Sequence, residues 1–384
     1  MNVCGKSSHW QKALSLFESM PMAKVQRDLL SYNATITAFG KGAEWQMALI
    51  MFQSMLKSTV QPRITSYNTL MSAFEQVGLW QLSAFILYND MPNEKVQPRK
   101  TTMNTLISAC DKGGNWRYAL HVLGSMTEFK LRADVMSFNA AVSACEGCAQ
   151  WNQALHLFDK MLTMKVTPDL ITWNTTISAC GKGGQWQLAL NFFVSLPFAN
   201  LHPNIITGNT MLNAFACQVQ WQKALSFCSS MSGLGVIPDI ISYNAISSAC
   251  EQLGHWNFAL NFFVMMLSQN IMPNIMSCST VISACAKAGE WQVALKCFEF
   301  ISVWKLDAGL VTYNAAINAC SKGHRWKQAL RFFEEMMEAR LQHDHITFNA
   351  TINACEKSGQ WRFRQALMEV WSLSSKKTMD LSGI

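Results

Sequence analysis

Tryptophan recurs along this chain at a fixed spacing, and that regularity restricts the fold more than any other feature does. The residue occurs at positions 10, 45, 80, 116, 151, 186, 221, 256, 291, 326 and 361, and every interval is 35 residues except one of 36. Self-similarity with a period of about 20–50 residues is typical of stacked repeats. The sequence therefore predicts a tandem array that covers nearly the whole chain.

The segment 170–204, LITWNTTISACGKGGQWQLALNFFVSLPFANLHPN, illustrates one repeat. Its first half predicts a helix, with one face formed by Trp173, Ile177 and Cys180. Three glycines then break the pattern: Gly181, Gly183 and Gly184. Its second half predicts another helix, with one face formed by Trp186, Ala189, Leu190 and Phe193. Two helices of about three turns each cannot bury these faces alone, so the repeats must stack into an all-α solenoid.

The spacing also predicts the organisation of the chain. Residues 1–28 form a partial repeat, because Asn2–Lys6 matches the middle of a later repeat, and whether a targeting segment precedes it is left open. The repeat array spans 29–379, and residues 372–384 are a short polar tail at its irregular end. The predicted repeats are 29–63, 64–99, 100–134, 135–169, 170–204, 205–239, 240–274, 275–309, 310–344 and 345–371.

Composition excludes several classes of protein. Half of the residues are apolar and 14% are charged, which argues against disorder, and the net charge of +7 is only a mild basic bias. No apolar run is long enough to predict a membrane span. No motif of a catalytic triad or of a phosphate-binding glycine loop is present, so we expect neither enzymatic activity nor a cofactor.

The cysteines are predicted to be core residues rather than metal ligands or disulfide partners. Eight of the 13 share one repeat position, where Phe39, Phe74 and Phe215 also occur, and a position that accepts phenylalanine is buried. The single Cys145-x-x-Cys148 motif has no partner pair, so we expect no metal site.

The repeat consensus resembles a known family. It reads Ser/Thr–aromatic–Asn, Ala-Cys-x-Lys-x-Gly, Trp-x-x-Ala-Leu and a terminal Pro-Asp, as in Tyr243-Asn244 and Pro238-Asp239. This pattern and the 35-residue period are similar to those of the pentatricopeptide repeat family. The resemblance implies a right-handed superhelix of about ten to eleven helix-turn-helix repeats. Its first helices would line a groove for single-stranded RNA. Each repeat would read one base, and the array would run parallel to the strand, with the N-terminal repeats towards its 5′ end.

In that family, bases are read by the fifth and the last residue of a repeat. The fifth residues here are Asn33, Asn68, Asn104, Asn139, Asn174, Asn209, Asn244, Ser279, Asn314 and Asn349. The last residues are Arg63, Arg99, Asp134, Asp169, Asn204, Asp239, Asn274, Gly309 and Asp344. Family rules assign U to Asn with Asp and C to Asn with Asn, so repeats 100–134 to 240–274 would read U, U, C, U and C, and 310–344 would read U. Arg63, Arg99 and Gly309 fall outside these rules, which leaves only a pyrimidine for the first two repeats and suggests a purine for 275–309.

Two further columns are implied to contact RNA. Residues that sandwich the bases would be Met136, Ile171, Ile206, Ile241, Met276, Val311 and Ile346. Residues that approach the phosphates would be Lys41, Lys112, Lys182, Lys287, Lys322 and Lys357.

Each column also has a purely structural interpretation. Asn could satisfy backbone groups near the helix start, Asp or Asn could cap the next helix, the apolar column could pack between repeats, and Lys could favour a helix C-terminus. The two interpretations are left open at this stage.

The sequence therefore predicts a sequence-selective, single-stranded RNA-binding protein with a pyrimidine-rich target. The resemblance places it in a chloroplast or mitochondrion, in transcript stabilisation, processing or translation. We expect a monomer with no membrane partner, and RNA-processing proteins are further candidate partners. The alternative is a protein–protein interaction scaffold of the tetratricopeptide type.

Overall fold

The structure is a computed structural model. It describes residues 10–20, 22, 25–58, 60–304, 306–339, 341, 345–365 and 367–368. Every regular element within these ranges is a helix. None of these helices is long and apolar enough to cross a membrane. The predicted tail 372–384 and the predicted site residue Asp344 lie outside the described residues.

The helices alternate between the first and the second helix of a repeat. The first helices are α2 (Leu29–Lys41), α4 (Ile64–Val77), α6 (Lys100–Lys112), α8 (Val135–Gly147), α10 (Leu170–Lys182), α12 (Ile205–Cys217), α14 (Ile240–Gln252), α16 (Ile275–Ala288), α18 (Leu310–Lys322) and α20 (His345–Lys357). The second helices are α1 (Trp10–Ser19), α3 (Trp45–Lys57), α5 (Trp80–Phe85), α7 (Trp116–Ser125), α9 (Trp151–Thr163), α11 (Trp186–Ser195), α13 (Trp221–Met231), α15 (Trp256–Ser268), α17 (Trp291–Val303) and α19 (Trp326–Glu338).

Two compact units, Met1–Leu201 and His202–Ile384, make up the chain. Within each unit, consecutive first helices pack side by side, and a second helix packs against the first helix of its own repeat and of the next. The core of the first unit is one continuous cluster of buried side chains from Phe17 to Ala179. Helical hairpins stacked in this way confirm the predicted α-solenoid.

The single 36-residue interval has a local cause in the second helix that begins at Trp80. After α5, residues Ile86–Asp90 wind as a π-helix before a final turn at Met91–Asn93. A π-helical turn holds one more residue than an α-helical turn. The extra residue is therefore absorbed inside the helix, and the following repeat keeps its place in the stack.

The regular tryptophans pack against the next repeat. A Cβ atom added to Gly183 would lie 2.3 Å from Cδ1 of Trp151, and one added to Gly323 would lie 2.4 Å from Cγ of Trp291. These glycines therefore permit a close approach of the indole to the backbone. Of the three glycines predicted to break the helical pattern, Gly183 follows the last residue of α10, as predicted, whereas Gly181 is buried within the helix, which continues to Lys182.

The residue that follows Gly183, and its equivalent in every described repeat, adopts a left-handed backbone conformation. Glycine occupies this position in several repeats, but Val219 holds a φ of 56° there. Left-handed φ is unfavourable for a β-branched residue.

We expect Val219→Gly to stabilise the protein by about 1 kcal/mol, because it removes this strain. The reciprocal change, Gly114→Val, introduces a β-branched residue at a φ of 68° where no atom lies within 4 Å of the new Cβ, so only the backbone is strained. Thermal unfolding followed by circular dichroism should move in opposite directions for the two variants. A lower midpoint for Val219→Gly would contradict the assignment.

Candidate nucleic-acid interface

The last residue of most repeats caps the first helix of the next. Oδ1 of Asp169 accepts the Thr172 backbone N–H at 2.9 Å, and Asp134 accepts the Ser137 N–H at 3.1 Å. Asn204, Asp239 and Asn274 cap α12, α14 and α16 in the same way. The predicted capping role is therefore confirmed at these positions. By contrast, no side-chain cap hydrogen bond forms at Arg63, Arg99 or Gly309.

A buried hydroxyl lies at the third residue of each first helix, and seven of these hydroxyls contact the preceding repeat. We call this set the third-position hydroxyls: Ser31, Ser66, Thr102, Ser137, Thr172, Thr207, Ser242, Ser277, Thr312 and Thr347. Thr172 Oγ1 donates to Oδ1 of Asn139 at 2.6 Å, and Ser277 Oγ donates to Oδ1 of Asn244 at 2.7 Å. The same bond joins Thr102 to Asn68, Ser137 to Asn104, Ser242 to Asn209 and Thr347 to Asn314.

The other end of the amide is directed at the cap residue. Nδ2 of Asn139 lies 3.1 Å from Oδ1 of Asp169, and Nδ2 of Asn209 lies 3.1 Å from Oδ1 of Asp239. A carboxylate only accepts, so it keeps the NH₂ end of the amide on its side and the carbonyl oxygen on the hydroxyl side. The amide therefore contacts the last residue of its own repeat and a hydroxyl of the next repeat, and the alternative that it satisfies backbone groups is wrong for these residues.

We call each such group of three residues a node. It consists of the fifth residue of a repeat, the last residue of the same repeat, which caps the next helix, and the third-position hydroxyl of the next repeat. In the node of Asn244, Nδ2 lies 3.4 Å from Oδ1 of Asn274, and that oxygen also accepts the Ser277 N–H. Repeat 275–309 differs, because its fifth residue, Ser279, has a hydroxyl instead of an amide. This hydroxyl contacts Thr312 and the Ile275 carbonyl. The Ser or Thr of the repeat consensus is this third-position hydroxyl, but the sequence did not reveal that it contacts the preceding repeat.

Ionisation of the cap residues follows from the node. Burial by itself would raise the pKa of Asp169, but hydrogen bonds from the Thr172 N–H and from the Asn139 and Thr172 side chains outweigh it and hold the pKa below its usual range. The pKa of Asp134 is lowered for the same reason, with Lys100 as a further donor. Both side chains are therefore anionic acceptors at neutral pH.

The predicted sandwich residues form an exposed apolar column. Their exposed fractions range from 54% at Ile241 to 71% at Val311. Met136, Ile171, Ile206, Met276 and Ile346 fall between these values. Such exposure contradicts the alternative that the column packs between repeats. Leu30 occupies the same repeat position and is 73% exposed, and comparison of repeat 29–63 with the others would have found it.

The predicted phosphate lysines are partly neutralised. Three of them form ion pairs with glutamates of the preceding repeat: Lys112–Glu75 at 3.4 Å, Lys182–Glu146 at 2.8 Å and Lys287–Glu251 at 3.1 Å. Lys322 donates to the carbonyl of Lys287. Lys41 and Lys357 also end their first helices, which agrees with a helix C-terminus that favours cations. Sequence analysis missed the glutamates, each of which directly precedes the lysine position in its own repeat.

The remaining predicted residues are placed as follows. Asn33 and Asn174 lie on α2 and α10 and are half-buried, and Asn349 lies on α20 and is exposed.

Cysteines at the shared position are buried, from Cys110 to Cys355, as predicted for core residues. Burial raises the pKa of the Cys320 thiol to about 12, which makes it unreactive. No group of three or more His, Cys, Asp or Glu side chains within the described ranges is placed to hold a metal ion.

Acidification should weaken the charged caps. Because the folded-state pKa values of Asp134 and Asp169 are lowered, their contribution to stability is present above about pH 4 and is lost as the pH falls through those values. Asn caps the same position elsewhere, so Asp134→Asn/Asp169→Asn is a matched variant. We expect its unfolding temperature to fall less steeply than that of the parent protein from about pH 5 to about pH 3. Parallel curves would show that the carboxylates are not stabilised by the node.

Comparisons with known proteins agree with this architecture. The model described as "Pentatricopeptide repeat domain" matches residues 15–76, 86–148, 197–252 and 263–323, which is more than half of the chain. The model described as "PPR repeat family" matches 133–182, 168–217 and 308–357, and the one described as "PPR repeat" matches 1–25 and 241–271. No curated protein sequence matches the chain.

Solved structures of the same family are similar in fold. The crystal structure of the pentatricopeptide repeat protein PPR10 from maize is 22% identical, with a TM-score of 0.60 over 96% of this chain and 53% of that one. PPR10 in complex with an 18-nt psaJ RNA element is 21% identical, with a TM-score of 0.48 over 96% of this chain and 52% of that one. The chain thus spans about half the length of PPR10. Because the pentatricopeptide repeat model matches more than half of its residues, the chain belongs to the pentatricopeptide repeat family.

Proposed function

We propose that the chain is a sequence-selective, single-stranded RNA-binding protein that reads one base per repeat and acts in organellar RNA metabolism. RNA is also the ligand of PPR10 in its complex. The role is binding rather than catalysis, and the protein acts as a monomer that presents its RNA to processing enzymes. One observation carries the proposal: each complete node leaves polar atoms that match a pyrimidine edge, beside an exposed apolar side chain.

Nodes with an Asp cap offer one donor and one acceptor. Asn139 uses Oδ1 and one N–H inside the node, and Asp169 uses Oδ1, so that the second N–H and Oδ2 are left. Uracil presents a carbonyl next to its N3–H, which pairs with a donor and an acceptor on the protein. This node, and that of Asn209 and Asp239, should therefore select U.

Nodes with an Asn cap offer donors instead. Oδ1 of Asn274 is engaged by the Ser277 N–H and by Asn244, so the NH₂ group of Asn274 remains. Cytosine presents N3 and O2, two adjacent acceptors, which pair with two donors. The node of Asn244 and Asn274 should therefore select C. In repeat 100–134 the free oxygen of Asp134 lies 3.4 Å from Lys100, so uracil must compete with that ammonium group.

The apolar column would supply contacts that do not depend on sequence. Ile171 and Ile241 are exposed two residues after the cap residues Asp169 and Asp239. An apolar side chain there can contact the face of any base. Lys112, Lys182 and Lys287 would have to exchange their glutamate partners for phosphates.

Selection from a random single-stranded RNA pool tests the function. The purified chain should enrich pyrimidine-rich sequences that contain UUCUC, the order implied by repeats 100–134 to 240–274. Asn139→Ala and Asn209→Ala should weaken selection at one nucleotide each. Enrichment of unrelated sequences would refute the base assignments, and no retention of any RNA at low salt would favour the protein scaffold.

A reciprocal exchange of caps tests the base assignments directly. Asp169→Asn should change the preferred base of that repeat from U to C, and Asn274→Asp should change the preferred base of its repeat from C to U. Since a bidentate contact discriminates by about 1–3 kcal/mol, we expect about tenfold or greater changes in relative affinity. Titration of RNAs that differ at single nucleotides provides the measurement. Both residue types cap helices here, so folding should not change, and an unchanged preference would contradict the assignment.

Thr172 should act as a positioning residue for the Asn139 amide. Thr172→Val removes the hydroxyl at nearly constant volume, so the amide is free to turn and U over C selectivity should fall at that nucleotide alone. Some stability is lost as well, about 1–3 kcal/mol for an unsatisfied buried oxygen. Thr172→Ser keeps the hydroxyl and should keep the selectivity. Uniformly weaker binding by Thr172→Val at all nucleotides would indicate only a structural role.

A further inference from the structure

Repeats 29–63 and 64–99 differ from the others in three linked ways. Their last residues are Arg63 and Arg99 instead of Asp or Asn, and the apolar residue two positions later is replaced by Thr65 and Thr101. The third difference lies in the amides of Asn33 and Asn68, which donate to these threonines at 3.4 Å and 3.1 Å. The polar and apolar groups proposed to read a base are thus altered together.

The amides in these two repeats lack the arrangement of a complete node. Asn68 is held by two hydroxyls of the next repeat, because Thr102 donates to its Oδ1 and Thr101 accepts from its Nδ2. In Asn33, Oδ1 is buried and has no hydrogen-bond partner among the described residues. Neither amide contacts the last residue of its repeat, so no donor–acceptor pair is formed for a base edge.

The side chains of Arg63 and Arg99 form no stabilising polar contact with the described residues. Both side chains are exposed, and neither forms an ion pair or a cap hydrogen bond with a described residue. At this position an Asp or Asn cap contributes about 1 kcal/mol to helix stability, which the arginines forgo. Lys100, which follows Arg99, is instead occupied by Asp134 at 3.4 Å.

We propose that repeats 29–63 and 64–99 bind the RNA through its phosphodiester backbone, with Arg63 and Arg99 as the phosphate ligands, and do not read bases. This inference rests on the proposed RNA-binding function. An exposed, unpaired guanidinium binds phosphate through two parallel N–H donors. Thr65 and Thr101 remove the apolar contact to a base face and leave a polar surface that suits the backbone. Base reading then begins at repeat 100–134.

RNAs with abasic extensions separate phosphate binding from base reading. The probes share a core that matches repeats 100–134 to 240–274 and carry at the 5′ end no extension, two abasic ribose phosphates, two uridines or two guanosines. We expect all three extensions to raise the affinity of the full chain by a similar factor. Arg63→Ala/Arg99→Ala should abolish that gain, which is about tenfold at 0.15 M salt for two phosphates, and reduce the salt slope by about 1.4.

Two matched variants complete the test. Arg63→Lys/Arg99→Lys keeps the charge and should keep most of the gain. Lys12→Ala/Lys160→Ala removes the same charge from exposed positions on second helices, and should leave the gain unchanged. Conversely, Arg63→Asp/Thr65→Ile/Arg99→Asp/Thr101→Ile restores the reader residues and should make the two-nucleotide extension selective for uridine.

The outcomes distinguish this inference from the proposed function. If the parent protein binds no RNA, the proposed function itself fails. Binding of the core without any gain from the abasic extension would overturn the phosphate assignment while leaving base reading intact. A gain from guanosines alone, lost on arginine-to-lysine exchange, would show that the arginines read the Hoogsteen edge of guanine, and would equally overturn it.

Discussion

The hydrogen bond from a buried hydroxyl to the asparagine of the preceding repeat is the interaction on which the rest of this protein depends. In the node of Asn209, the Ser242 hydroxyl donates to the Asn209 amide oxygen and accepts the backbone N–H of Asp239. The Asp239 carboxylate in turn accepts the backbone N–H of Ser242. One group therefore starts a helix, joins two repeats and orients an amide. The atoms that would recognise a base are therefore held by the same hydrogen bonds that join neighbouring repeats.

Apolar packing supports this arrangement but does not specify it. Alanines such as Ala189 and Ala259 are fully buried where helices approach closely, and tryptophans such as Trp151 lie against glycine backbone of the next repeat. These contacts hold neighbouring repeats together because burial of apolar surface is favourable in any direction. Directional hydrogen bonds at the node then decide which polar atoms are left at the surface.

Much of the positive charge on the first helices of this chain is paired with carboxylates. A net charge of +7 is modest, and ion pairs such as Lys182–Glu146 reduce the free positive charge along the first helices further. Exposed pairs of this kind contribute little to stability, but they lower the nonspecific attraction for phosphate. In the proposed function, base contacts and the apolar column would then supply a larger share of the RNA affinity, and Arg63 and Arg99 would attract the RNA backbone at one place.

The sequence by itself determined the helical hairpins, their stacking, the buried cysteine position and the capping of helices by residues such as Asp169. These features follow from periodicity and from preferences that operate within a few residues. Only the tertiary structure decided that Thr172 holds Asn139, 33 residues earlier, that Lys287 is paired with Glu251, and that Ile171 is exposed rather than packed. Such contacts join helices of neighbouring repeats, and which side chains meet there depends on how each helix is rotated in the stack, a property that no single repeat encodes.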